Sequence, residues 1–157
     1  MTRVDFYILP EHGGPAEGPA MAACRLCEKA VAAGLRVYVH VPDPGLAEEV
    51  DGALWSFRQG GFIAHERDSG KALEEPLPAV LIGAGEPPDS HHGVLVNLGL
   101  EVPDCFSRFE RVLEIVAADA TGRAQSRERF KFYRDRGYEL KTYEQTAEGG
   151  WTLRVPK

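Results

Sequence analysis

Cys24 and Cys27 form a C-x-x-C pair, the only redox-type spacing in the chain. Thiol exchange needs a thiolate, and a cysteine at a helix N-terminus is the usual device because the helix dipole lowers its pKa. This pair instead begins more than a turn inside the helix predicted over Ala20 to Ala33, with both thiols on one face. Free cysteine in that setting packs as a small apolar residue, so core packing is preferred to redox chemistry. A zinc site would need two more ligands. Among His12, His40, His65, His91 and His92 only His91 and His92 are paired, and adjacent imidazoles diverge, so no metal and no other cofactor is expected.

Phosphate chemistry has a candidate in the glycine- and proline-rich segment Pro10 to Pro19, between a first strand and a first helix. A G-x-G-x-x-G match from Gly13 meets Pro15 where glycine must let the backbone approach a pyrophosphate. The P-loop spacing is met by Gly13 and Gly18, but Pro19 and Ala20 then stand in place of the Lys and Ser/Thr that touch phosphate and magnesium. The segment is read as a turn. No G-x-S-x-G elbow or H-E-x-x-H pair occurs, and acids such as Glu48, Glu49 and Asp51 fall on a predicted solvated helix face. No catalytic set is identified.

Binding chemistry is better represented. Arg127, Phe130, Lys131 and Arg134 recur at i, i+3, i+4 and i+7, which places one ring among three cations on a helical stripe. Such a stripe offers donors to carboxylates beside an apolar contact. It is also what a solvated helix looks like when its Phe130 plugs the core, and composition alone favours that reading. The net charge of −6 argues against a general nucleic-acid binder. From Thr121 to Lys141, however, seven cations face three carboxylates, a local +4 on a remainder of −10. A basic segment on an acidic body suits one local acidic partner better than a whole phosphate backbone.

The elements that must position these residues follow from pattern. Val4 to Leu9 and Leu35 to Val41 are apolar β-favouring runs, and Ala79 to Ile82 and Val94 to Leu98 are shorter ones. Ala20 to Ala33 and Leu46 to Phe57 are amphipathic helices, the first stopped by Gly34. Phe62 to His65 is a candidate short strand, Arg123 to Arg136 a basic helix ended by Gly137, and Tyr138 to Glu144 a late strand. A further helix is expected from Asp104 to Val116, N-capped by Asp104, with Phe106, Phe109, Val112, Leu113 and Val116 inward and Arg108, Glu110, Arg111 and Glu114 solvated. The tail with Trp151, Leu153 and Val155 is either an edge strand or docked on the body. Alternating strands and helices imply an α/β three-layer sandwich with a mainly parallel sheet, Rossmann-like without a phosphate-binding loop.

At 157 residues and 43% apolar content the chain is expected to be one domain over 1–157, with about 145–157 as a C-terminal extension. Charges occupy the N-terminus where a signal peptide needs an apolar run, no stretch reaches membrane-spanning length, and three cysteines do not make a disulfide framework. A cytoplasmic location with no membrane contact is expected.

The ordered succession of Asp5-Phe6-Tyr7, Gly34-Leu35-Arg36-Val37, Leu54-Trp55, Phe62 with His65, the stretch NLGLEVPDCFSRFERVLEIV, and Arg127-Glu128-Arg129-Phe130-Lys131 through Gly137 resembles the chi subunit of bacterial DNA polymerase III. The resemblance implies a noncatalytic accessory subunit of the clamp-loader complex, acting in DNA replication and contacting DNA only indirectly. It implies one site for the acidic C-terminal tail of single-stranded-DNA-binding protein, mapping to Arg127, Phe130, Lys131, Arg134, Gly137, Tyr138 and Leu140. It implies a second site, at Trp55 and Phe62, for the psi subunit or a helicase-like repair protein. Three departures are visible: Phe130 where the family more often has Tyr, Ala64 where it usually has Pro before His65, and a tail from Gln145 that is longer than the family's. The alternative from the residues alone is a small-molecule or nucleotide-dependent enzyme on the same kind of sheet.

Overall fold

The computed structural model describes residues 2–10, 18–56, 63–146 and 150–154. Their strands form one eight-stranded sheet. In chain order the elements are β1 (Arg3–Ile8), α1 (Pro19–Ala32), β2 (Val37–His40), α2 (Pro44–Ser56), β3 (His65–Arg67), β4 (Val80–Gly83), β5 (Val94–Asn97), β6 (Arg111–Val116), α3 (Ala120–Asp135), β7 (Glu139–Gln145) and β8 (Trp151–Leu153). The sheet order is β3-β4-β2-β5-β6-β1-β7-β8, parallel throughout except for β8, which runs antiparallel to β7.

Helices on both faces bury the sheet, which is why its central strands read as continuous apolar runs. Against one face α1 and α2 pack Ala23, Cys27, Val50 and Leu54 onto Val37, Val39, Val94 and Leu113. Against the other, α3 and the 102–109 segment pack Tyr133, Phe106 and Phe109 onto Val4, Phe6, Leu95 and Val112. The α/β three-layer sandwich expected from the sequence is therefore present. Of the Pro10 to Pro19 segment tested for phosphate loops, residues 11–17 lie outside the described residues, and Gly18 and Pro19 open α1.

Local signals explain most boundaries. Asp43 Oδ2 accepts from Leu46 N at 3.1 Å, so α2 starts at Pro44, which the sequence reading had placed in the preceding turn. Asp119 Oδ1 accepts from Gly122 N at 2.9 Å, which opens α3 a turn earlier than expected. Gly137, at φ 80°, closes it, and Tyr138 N then donates to Tyr133 O at 3.2 Å, turning the chain back into β7.

One expected element is corrected. The helix predicted from Asp104 to Val116 does not form: Phe106–Arg108 is a single 3-10 turn, and Arg111–Val116 is β6. Val112, Leu113, Ile115 and Val116 are buried on alternating sides of the sheet, so their combined spacing with Phe106 and Phe109 imitates a helical period. Asp104 caps nothing there, since Cys105 occupies the N-cap of the turn without a side-chain bond. Glu114, expected to be solvated, is fully buried. Arg111 pairs with the buried Asp5 at 2.7 Å.

Candidate protein-binding groove

The basic helix is seated by a buried ionic network. Glu114 Oε1 accepts from Asn97 Nδ2 at 2.9 Å and from Arg129 Nε at 2.8 Å, and Oε2 accepts from the Tyr133 hydroxyl at 2.6 Å. Arg129 also donates through Nη1 to Leu100 O at 2.9 Å. Burial raises the Glu114 carboxyl above its ordinary pKa, opposed by the Arg129 cation and the three donors. Burial, then the Glu114 charge, drives the Tyr133 phenol strongly upward, so it remains a donor. Gly122, Arg129 and Tyr133 form the inward face of α3. With that face fixed, Arg127, Lys131 and Arg134 are turned to solvent.

Beside the outward face runs a groove of about 490 Å³ between α3 and the β1-β7-β8 edge of the sheet. Its floor is Phe6, Ile8, Val116 and Leu140, and its rim carries Arg127 and Arg154, while Lys141, opposite Asp5 in the ladder, alternates to the other face of β7. Phe130 does both things the sequence left open: its ring packs against Phe6 with centroids 5.4 Å apart, and it lines the groove. Arg127 is exposed and has no ion pair among the described residues. Such a groove can offer donors to carboxylates beside an apolar contact.

Of the residues assigned to this site from sequence, Arg127, Phe130 and Leu140 come together in the groove. Lys131 follows Arg127 on the exposed face of α3. Arg134 pairs with its neighbour Asp135 at 3.5 Å, and Gly137 terminates the helix. Tyr138 packs on Phe106 with ring centroids 5.3 Å apart. None of these four lines the groove. Sequence reasoning missed Thr142, whose place two residues after Leu140 in the late strand was a usable signal, and Arg154, for which no local signal exists.

At the far edge, Trp55 at the end of α2 is 62% exposed and stands edge-on to His65, with ring centroids 4.9 Å apart. His65 Nδ1 lies 2.8 Å from Ile63 O, and Nε2 lies 3.2 Å from Asp51 Oδ1, which ties β3 to α2. Phe62, assigned with Trp55, lies outside the described residues.

The remaining candidates have other settings. Cys24 and Cys27 are buried, and desolvation pushes the Cys24 thiol up to about 12 and the Cys27 thiol higher still. That is the opposite of a reactive thiolate. A second cleft, of about 660 Å³, opens beyond the carboxyl ends of β2, β4 and β5. This is where a Rossmann-like sheet holds its ligand. Here Asp43, Glu86, Glu101 and Asp104 line it without a Lys or Arg, and such walls repel phosphate. No group of His, Cys, Asp or Glu that could hold a metal occurs among the described residues, and no helix among them is long and apolar enough to cross a membrane.

Comparison with known proteins agrees in one direction. The family model described as "DNA polymerase III chi subunit, HolC" matches residues 1–141. A protein of Pseudomonas aeruginosa named DNA polymerase III subunit chi is 43% identical over 143 residues, covering 91% of this chain and 96% of that relative. Proteins of the same name from Haemophilus influenzae and Escherichia coli are 30% identical over 120 residues and 26% identical over 145. They cover 76% and 90% of this chain and 83% and 97% of their own lengths, respectively.

Proposed function

Because this chain belongs to the DNA polymerase III chi subunit family, we propose that it is a noncatalytic accessory subunit of the replicative clamp-loader complex. In this reading it works in the cytoplasm during DNA replication and holds the acidic C-terminal tail of single-stranded-DNA-binding protein in the groove between α3 and β7. It reaches DNA only through that partner. The observation that carries the reading is the groove itself, an apolar floor rimmed by Arg127 and Arg154 on a chain whose net charge is −6. Cations at the rim attract the tail, and the surrounding acidic surface limits attachment to nucleic acid, whose charge it repels.

The second surface, around Trp55, docks the psi subunit or a helicase-like repair protein, and the family resemblance assigns Phe62 to it as well. An exposed Trp beside the three-residue edge strand β3 supports it, since exposed aromatic rings are frequent interface anchors. The two surfaces lie toward opposite edges of the sheet, so one chain could hold both partners at once.

Fluorescence anisotropy with a labelled peptide carrying the acidic tail and its terminal Phe tests the first site. Wild type is expected to bind with strong salt sensitivity, and Arg127→Ala or removal of the terminal Phe to weaken binding at least about tenfold. Absence of binding by wild type at low salt would refute the proposal.

A further inference from the structure

Residues beyond 141 lie outside the stretch matched to the family, yet they complete the groove. β8 runs antiparallel to β7, with Trp151 opposite Gln145 and Leu153 opposite Tyr143. One residue further on, Arg154 N donates to Thr142 O at 2.7 Å, which extends the ladder and sets Arg154 against Thr142. Residues opposed across a ladder share a face. Arg154 therefore falls on the face of Thr142, Leu140 and Phe6, and it lines the groove with them. Trp151 secures the strand from the other face, edge-on to Tyr7 with ring centroids 5.1 Å apart. Packing thus holds the hairpin on one side while its cation is presented on the other.

Arg154 is not left to wander. Its Nε donates to Glu144 Oε1 at 2.6 Å, and both side chains are about half exposed. An ion pair at such exposure is weak, so an arriving carboxylate can exchange with Glu144 at little cost. A guanidinium suits the exchange because its planar fork can serve two carboxylates.

We infer that Arg154 is a further recognition residue of the groove, a cation on the sheet-edge side that takes a carboxylate of the bound acidic peptide while Arg127 takes another from α3. Glu144 is its internal competitor, holding the guanidinium in place until the peptide displaces it. The inference rests on the proposed function, and it gives the hairpin a part in selecting among acidic peptides.

The same labelled peptide is titrated against full-length wild type, Arg127→Ala, Arg154→Ala, Arg154→Glu and Glu144→Gln at low and at physiological ionic strength. Arg154→Ala should weaken binding roughly three- to tenfold at low salt, and Arg154→Glu more. Glu144→Gln should tighten it about twofold when Arg154 is present and leave it unchanged in an Arg154→Ala background. Melting temperatures should not change, since both side chains are exposed. If wild type binds and Arg127→Ala does not, while Arg154→Ala and Arg154→Glu bind like wild type, this inference fails and the proposed function stands. If wild type fails to bind, the proposed function fails and takes the inference with it.

Discussion

Arg129→Ala removes the cation from an ionic contact in which neither side chain reaches water, and its cost can be worked from the geometry. Glu114 would keep the Asn97 and Tyr133 donors but lose the guanidinium 2.8 Å away, and Leu100 O would lose its partner. Removing one member of a buried pair costs about 3–5 kcal/mol, because the other charge stays desolvated. In a chain of this size each kcal/mol moves the melting temperature by about 2–4 °C, so a fall of roughly 6–20 °C is expected. Arg134→Ala is the control. Its pair with Asp135 is exposed, and its loss should change stability by less than about 0.5 kcal/mol.

The Arg129→Ala deficit should depend on pH with a definite sign. With the cation gone, burial raises the Glu114 pKa in the folded state further above that of the unfolded chain. Between those two values the folded protein binds more protons, so stability falls as pH rises through the window and is restored below it. Urea denaturation at several pH values measures this. The double variant Glu114→Gln, Arg129→Met, which leaves no buried charge, should recover most of the loss. A loss equal to that of Arg134→Ala, or one that shrinks as pH rises, would refute the assignment of this pair as the anchor of α3.

Two other expectations concern stability and the second surface. The buried His91 donates from Nε2 to Pro78 O at 2.7 Å and accepts at Nδ1 from the Ser90 hydroxyl at 2.8 Å, and desolvation lowers its pKa below 6.5, opposed by the Pro78 hydrogen bond and Asp68 and aided by Arg36 and His92. The unfolded chain thus takes up a proton first, so melting temperature should hold above neutral pH and drop as pH falls below that value; His91→Gln should flatten the drop, leaving a remainder from His40, also lowered by burial. Trp55→Ala should cost less than about 1 kcal/mol of stability and leave acidic-tail affinity unchanged, while weakening capture of the psi subunit at least about tenfold in a pull-down; a parallel loss of tail binding would contradict two separate surfaces.

Elements whose signals are local were legible in the sequence. β1, β2, β5, α1, α2, α3 and β7 appear where apolar period and glycine stops put them, within a turn. β6 was not, because a strand buried on both faces carries no alternation, and its neighbours Phe106 and Phe109 completed a false helical repeat. The β-branched run Val112, Ile115, Val116 was the available counter-signal. Glu114 looked solvated for the same reason, since its partners Asn97, Arg129 and Tyr133 are 15 to 19 residues away and only the fold brings them together. Half of the groove was legible as a helical stripe. The rest depends on strand pairing across the sheet edge, and no periodicity announces it.

The position of β1 also has a consequence for synthesis. Arg3 lies opposite Arg111 on one side and Glu139 on the other, so the first strand made is flanked only by strands from the last third of the chain. At about 5–20 residues per second, its apolar edges wait on the order of ten seconds after leaving the ribosome before a partner exists. Such long-range pairing is slow to nucleate and exposes the nascent chain to aggregation. The groove, assembled from β1, α3, β7 and β8, is among the last features to form, so a chain released early has an open apolar edge where the groove should be.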